Sequence, residues 1–159
     1  MATAVKEMRT RLNSYGLSRI GIVAPEGANS DSWCLDHLNY LKSDNQAWSA
    51  LRGVASHSYG FSLTEAHGQV ALTGNKEYWM TEASDNGTED ANNSSYPYSL
   101  TRRFLNDLNH GATHWIYFIG YYYEASNMND GRTKLVNYDP NTGTVTAWPK
   151  YWYMKHALS

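Results

Sequence analysis

The groups in this sequence best placed to do chemistry are two carboxylates, a histidine and a tyrosine: Glu26, Glu82, His57 and Tyr59. In a parallel α/β sheet, sites form at the C-terminal ends of the strands. The pattern predicts strands at 19–24, 53–57, 77–83 and 114–119. The first runs out toward Glu26, the second ends at His57 and Tyr59, the third at Glu82, and the fourth near Phe118 and Tyr122. Strand alternation predicts one face for Tyr78, Met80 and Glu82, another for Gly53, Ala55, His57 and Tyr59, and a third for Ile22, Ala24 and Glu26. These polar groups would converge on one mouth, where carboxylates exchange protons and tyrosines offer a flat ring with a polar handle.

The elements between the strands read as helices. Val5, Met8 and Leu12 recur at helical spacing, with Gly16 as a C-cap glycine. Leu35, Leu38 and Leu41 predict a second helix, and Asp44 caps a third that carries Trp48 and Leu51. Leu100, Phe104, Leu105 and Leu108 share one face of a helix over 98–108, closed by Gly111. Residues 134–138 and 144–148 pair as a hairpin, and Pro149 opens a last helix over 150–158. Helices alternating with strands predict parallel βαβ units in a single domain over 1–159. Trp33, Trp48 and Trp152 read as core, and Glu65 and His67 as surface residues of a loop.

Composition excludes several classes. Lys and Arg total 13 against 15 Asp and Glu, without a basic block, which argues against nucleic acid as partner. The other histidines, His37, His67, His110, His114 and His156, lack metal-ligand spacing, so neither metal nor other cofactor is expected. Cys34 has no internal disulfide partner and no base near it in the sequence pattern. Residues 1–16 read as an amphipathic helix rather than a signal peptide, and no apolar stretch approaches the roughly 20 residues that span a bilayer; no membrane partner is expected and the compartment stays open. The tripeptides at Asn86, Asn92 and Asn93 fit glycosylation acceptors but carry no weight without a secretory context. Against three Phe, the chain has 13 Tyr and six Trp, side chains suited both to sugars and to ordinary packing.

Several segments, taken in order, resemble the C-terminal half of a clan A retaining glycoside hydrolase barrel, most like glycoside hydrolase family 30. Tyr78-Trp79-Met80-Thr81-Glu82 resembles the seventh-strand end, where the family keeps its nucleophile. Ala55-Ser56-His57-Ser58-Tyr59 resembles the sixth-strand motif whose His and Tyr line the sugar site, and residues 111–118 resemble the eighth strand, with Phe118 in place of the usual Trp. Residues 151–155 resemble the start of the helix that follows. The resemblance implies a (βα)4 half of a TIM (β/α)8 barrel, a carbohydrate substrate and retaining hydrolysis with Glu82 as nucleophile. His57, Tyr59, Phe118 and Tyr122 would bind substrate.

The family's acid comes from an Asn-Glu pair, and this sequence contains no such dipeptide. Glu26, which also follows a strand, is the substitute acid/base; Glu124 is a weaker one. Plainer roles stand beside these: a solvated carboxylate for Glu82, a loop residue for Glu26, a satisfied buried imidazole for His57. An eight-stranded barrel needs about 250 residues. The expectation is therefore a half-barrel completed by homodimerisation, which would cover two edge strands and an apolar inner face. The alternative is a carbohydrate-binding remnant, or a fragment, without the acid/base half.

Overall fold

The computed structural model describes residues 1–84, 95–123 and 134–159. The chain divides into two compact units, Met1–Glu82 with Asp107–Ile116, and Ala83–Asn106 with Tyr117–Ser159.

The first unit is built on a parallel sheet of order β1-β2-β3-β4, with β1 Val23–Gly27, β2 Gly53–His57, β3 Glu77–Ala83 and β4 Ala112–Tyr117. Its helices are α1 Ala2–Ser14, α2 Ser32–Ser43, α3 Asn45–Ala50 and α4 Thr64–Thr73. Capping fixes two helix starts: Asp31 accepts from the Cys34 N–H, and Asp44 from the Gln46 and Ala47 N–H groups. Cys34, Leu38 and Leu41 are fully buried at i, i+4 and i+7. Ala2, Val5, Ile22, Ala24, Leu41, Ala47 and Leu51 form one apolar cluster, and Leu38, Val54, Ala71, Tyr78, Met80 and Ala112 a second. Together they fill the layer between the helices and one face of the sheet. On the other face Trp79 lies close over Gly53, where an added Cβ would come within 3.0 Å of the indole and 2.9 Å of the Glu77 carbonyl. Only glycine allows that approach.

Several expectations shift. The second and third strands fall at 53–57 and 77–83 as expected. The first does not occupy 19–24: the Ile20 N–H closes a turn on the Leu17 carbonyl, and pairing with β2 begins at Val23. Pro25 lies inside β1 rather than ending it, which an edge strand tolerates. The fourth strand starts and stops two residues earlier than 114–119. Trp33 is 60% exposed, because it is one step off the buried Cys34-Leu38-Leu41 stripe; Trp152 is 56% exposed. Trp48 is half-buried against the apolar clusters. Glu65 and His67 belong to α4 rather than a loop, and His67 is buried. That helix buries Thr64, His67, Gly68 and Ala71, small or polar residues that give no apolar stripe to read.

The helix α5, Ser95–Asn109, spans the two units. The second unit holds a small sheet of order β5-β6-β7, with β5 Tyr121–Tyr123, β6 Val136–Tyr138 and β7 Val145–Ala147. The pair β6–β7 is the expected antiparallel hairpin, while β5, read only as a strand end, adds in parallel to β6. The last helix, α6 Pro149–Leu158, starts with proline in its first turn as expected.

Candidate functional site

The tips of β1, β2 and β3 carry the candidate groups, and two irregularities of register aim them. Between β1 and β2, Pro25 pairs with Ala55 and Gly27 with Ser56, so Glu26 is an extra residue. Between β2 and β3, Ser56 pairs with Met80 and His57 with Glu82, so Thr81 is extra. A bulge re-aims side chains at the end of a ladder. Glu26 takes a left-handed backbone, φ 64°, which few non-glycine residues adopt.

The second bulge overturns the expected sharing of faces. Tyr78 and Met80 are buried in the helix-packed layer. Glu82 does not join them. It meets His57 and Tyr59, and Thr81, its neighbour, reaches Glu26.

Four contacts bind the group. The Tyr59 hydroxyl donates to Glu82 Oε2 at 2.8 Å. The Thr81 hydroxyl donates to Glu26 Oε2 at 2.8 Å. His57 Nε2 lies at hydrogen-bond distance, 3.0 Å, from Glu26 Oε2, and its Nδ1 makes a longer contact of 3.3 Å with Glu82 Oε2. The imidazole thus sits between the two carboxylates. All four contacts fall on the Oε2 atoms; neither Oε1 has a hydrogen bond among the described residues. The side chains of Glu26, Glu82 and His57 are 39%, 31% and 19% exposed, so the site is open to a ligand.

The support beneath is polar and closed. Ser30, Ser56 and Tyr78, all buried, join their hydroxyls at 2.9, 3.2 and 3.0 Å. Burial pushes the Tyr78 phenol up to about 12, so it stays a neutral hydrogen-bonding group. The loops after β1 and β2 are tied together where the Ser30 N–H donates to the Gly60 carbonyl and the Leu63 N–H to the Ser30 carbonyl. The Ser58 N–H donates to the Glu82 carbonyl, which carries the β2–β3 ladder past the bulge and fixes the approach of Tyr59. Under Glu26, Gly27 packs on the Cys34 side chain; a Cβ there would lie 2.6 Å from Sγ. Burial raises the Cys34 thiol to about 11, which makes it an inert packing group rather than a nucleophile.

Glu26, His57, Tyr59 and Glu82 therefore come together. Phe118 belongs to the second unit; it is 43% exposed, and its N–H donates to the Ala83 carbonyl. Tyr122 lies on β5, with its side chain outside the described residues, and Glu124 lies outside them altogether. The residue that strand alternation missed is Thr81: without the bulge it points away from Glu82, and no sequence pattern announces the bulge. Among the described residues, no three His, Cys, Asp or Glu side chains cluster to hold a metal, and no helix is long and apolar enough to cross a membrane.

The whole sequence, residues 1–159, matches the family model described as Glycosyl hydrolase family 59. No curated protein sequence matches it. Among solved structures, SrfJ from Salmonella typhimurium is similar over 96% of this chain and 35% of its own, at 18% identity and a TM-score of 0.79. The endo-beta1,6-glucanase BT3312 is similar over 96% and 36%, at 21% identity and a TM-score of 0.70. The glycoside hydrolase family 30 subfamily 8 xylanase Xyn30A from Clostridium acetobutylicum is similar over 94% and 34%, at 21% identity and a TM-score of 0.59. The chain thus spans about a third of each of these proteins. At such identities the likeness is one of fold. The expected resemblance to clan A glycoside hydrolases holds. The family whose model matches is 59, and family 30 enters through fold similarity.

Proposed function

This chain belongs to glycosyl hydrolase family 59, and from that premise we propose that its strand tips form a carbohydrate site in which Glu82 is the nucleophile of a retaining hydrolysis. The observation that carries the reading is the pinning of Glu82: its Oε2 accepts from Tyr59 and faces His57, while Oε1 is left to attack. In the first step Glu82 Oε1 bonds the anomeric carbon as the glycosidic bond breaks, and Glu26 gives its proton to the departing oxygen. In the second, Glu26 takes a proton from water, the water oxygen bonds the anomeric carbon, and Glu82 leaves as a carboxylate. His57 and Tyr59 are the substrate contacts proposed within this unit, and the same role is proposed for Phe118 and Tyr122 on the resemblance alone.

We further propose that this is one half-barrel domain and that a second copy completes the eight strands. In the four-stranded sheet, β1 and β4 are the end strands, and unpaired edges invite pairing. Size-exclusion chromatography with light scattering should give a dimer; a stable folded monomer at micromolar concentration contradicts the pairing. A second reading is a carbohydrate-binding remnant, in which Tyr59 and the two partly exposed carboxylates hold sugar without cleaving it. A panel of aryl glycosides separates the two. Turnover in the parent, lost in Glu82→Gln while sugar binding remains, supports hydrolysis; binding without turnover in the parent supports the remnant. Proton NMR of the released sugar should show retained anomeric configuration, and inversion removes the nucleophile role from Glu82.

A further inference from the structure

Each of the two carboxylates at the strand tips is met by one hydroxyl at 2.8 Å: Tyr59 donates to Glu82 Oε2, and Thr81 to Glu26 Oε2. Hydrolysis as proposed uses Tyr59 and leaves Thr81 without a part. Thr81 is the extra residue of the second bulge, where Ser56 pairs with Met80 and His57 with Glu82. The bulge lets two consecutive side chains, Thr81 and Glu82, serve the same mouth, which regular strand alternation forbids. The Thr81 bond also joins β3 to β1 across the tip of β2, the strand that lies between them.

Glu26 is a side chain that needs holding. Its backbone is left-handed, φ 64°, and its long side chain is 39% exposed; such a side chain samples several rotamers when nothing fixes it. Among the described residues, its other side-chain hydrogen-bond partner is His57 Nε2 at 3.0 Å. A neutral imidazole carries hydrogen on one of its two nitrogens, so that contact depends on the tautomer, whereas a threonine hydroxyl always carries hydrogen. The Thr81 hydroxyl has two acceptors in reach, Glu26 Oε2 at 2.8 Å and the Ser56 carbonyl at 3.4 Å, and the shorter contact takes its single hydrogen. Branching at Cβ restricts χ1 of threonine, so the bulge backbone sets the direction of this hydroxyl before any ligand arrives. We propose that Thr81 is the positioning residue of Glu26, holding its Oε2 so that Oε1 is presented to the ligand. Thr81 then does for Glu26 what Tyr59 does for Glu82.

This inference rests on the hydrolytic reading for its part in the reaction, but one arm of its test does not. Thr81→Val replaces the hydroxyl with a methyl of the same shape, and Thr81→Ser keeps the hydroxyl. On aryl glycosides with poor leaving groups, Thr81→Val should lower kcat by about tenfold or more with KM little changed, while Thr81→Ser should stay within about threefold of the parent. In a Glu26→Ala background, Thr81→Val should add almost nothing, because the hydroxyl has no carboxyl left to hold. An unchanged kcat in Thr81→Val, equal losses in the valine and serine variants, or a full further loss in the Glu26→Ala background contradicts the proposal. Crystal structures of the parent and of Thr81→Val read the same claim without turnover. The Glu26 carboxyl should hold one place in the parent and leave it in the variant, with the bond from Tyr59 to Glu82 unchanged. A Glu26 carboxyl that stays in place in Thr81→Val overturns the proposal, whatever the chain hydrolyses. A parent without turnover removes the hydrolytic reading, and the positioning role then stands or falls on that structural result.

Discussion

On the helix-packed face of β2 and β3, Ser56 and Tyr78 close a set of buried hydroxyl bonds with Ser30, and His67 of α4 stacks on the Tyr78 ring at 6.4 Å between centroids. On the other side of the same strand tips, His57 and Tyr59 face Glu26 and Glu82 at 2.8–3.3 Å, half open to solvent. The two regions use the same residue types to opposite ends. The Nδ1 of His67 is satisfied by the Leu63 carbonyl 2.8 Å away, its Nε2 has no hydrogen-bond partner among the described residues, and burial lowers its pKa. That histidine is kept neutral by its surroundings. His57 lies instead between two partly exposed carboxylates. Burial, not residue type, separates the structural pair from the site pair, and two single-residue bulges decide which side of the sheet each residue joins.

Substitutions on the two sides should therefore separate cleanly into losses of rate and losses of stability. The largest effect belongs to the site. Glu82→Gln should remove roughly 10⁴-fold or more of the parent's aryl glycoside turnover, the scale seen when a covalent nucleophile is lost, with the thermal melt nearly unchanged. Met80→Ala, two residues away and fully buried, should do the reverse. Truncating such a side chain costs about 2–5 kcal/mol, measurable by urea titration, with little change in rate per folded molecule. If Met80→Ala abolished turnover while stability held, the division between faces would fail.

Tyr59→Phe sharpens the comparison. It removes the hydrogen bond to the proposed nucleophile, worth about 1.5–3 kcal/mol if that acceptor is charged. The expected loss is about ten- to a hundredfold in kcat, again with a near-parental melt. On the buried side, His67 predicts a pH effect. Its folded-state pKa lies below the unfolded value of about 6.5, so the unfolded chain binds the extra proton first. Stability is complete above that value and falls as pH drops through it toward the folded-state value. Melts recorded across this range should show the fall, and His67→Leu should flatten it; a parental slope in that variant assigns the effect elsewhere. The smallest and most local effect is at Gly27. Gly27→Ala drives a methyl into the Cys34 side chain and should shift the backbone that holds Glu26, lowering turnover. Adding Cys34→Ala should restore part of it.

The sequence announced what capping and strong patterns control. Asp44 stands at a real helix start, Leu38 and Leu41 are buried, and β2 and β3 occupy the expected residues. Glu26, His57, Tyr59 and Glu82 were readable as strand-tip residues because each follows or ends a segment that looks like a buried strand. Their hydrogen bonds were not readable. Glu82 was expected on the face of Tyr78 and Met80, and only the extra residue at Thr81 turns it toward His57. The buried face of α4 was equally hidden, since Thr64, His67 and Gly68 look polar or weak in sequence and are covered by tertiary packing. Trp33 shows the converse: a large apolar residue invites a core assignment, yet one step around the helix leaves it exposed beside His37.

The central claim is that Glu82 Oε1 becomes covalently bonded to sugar. The direct test is to trap the chain with an aryl 2-deoxy-2-fluoroglycoside of whichever sugar it cleaves and to map the adduct by peptide mass spectrometry. The account predicts one glycosyl ester, on the peptide that carries Glu82, absent from Glu82→Gln. An active chain whose trapped ester lies on Glu26 or any other carboxylate would contradict it.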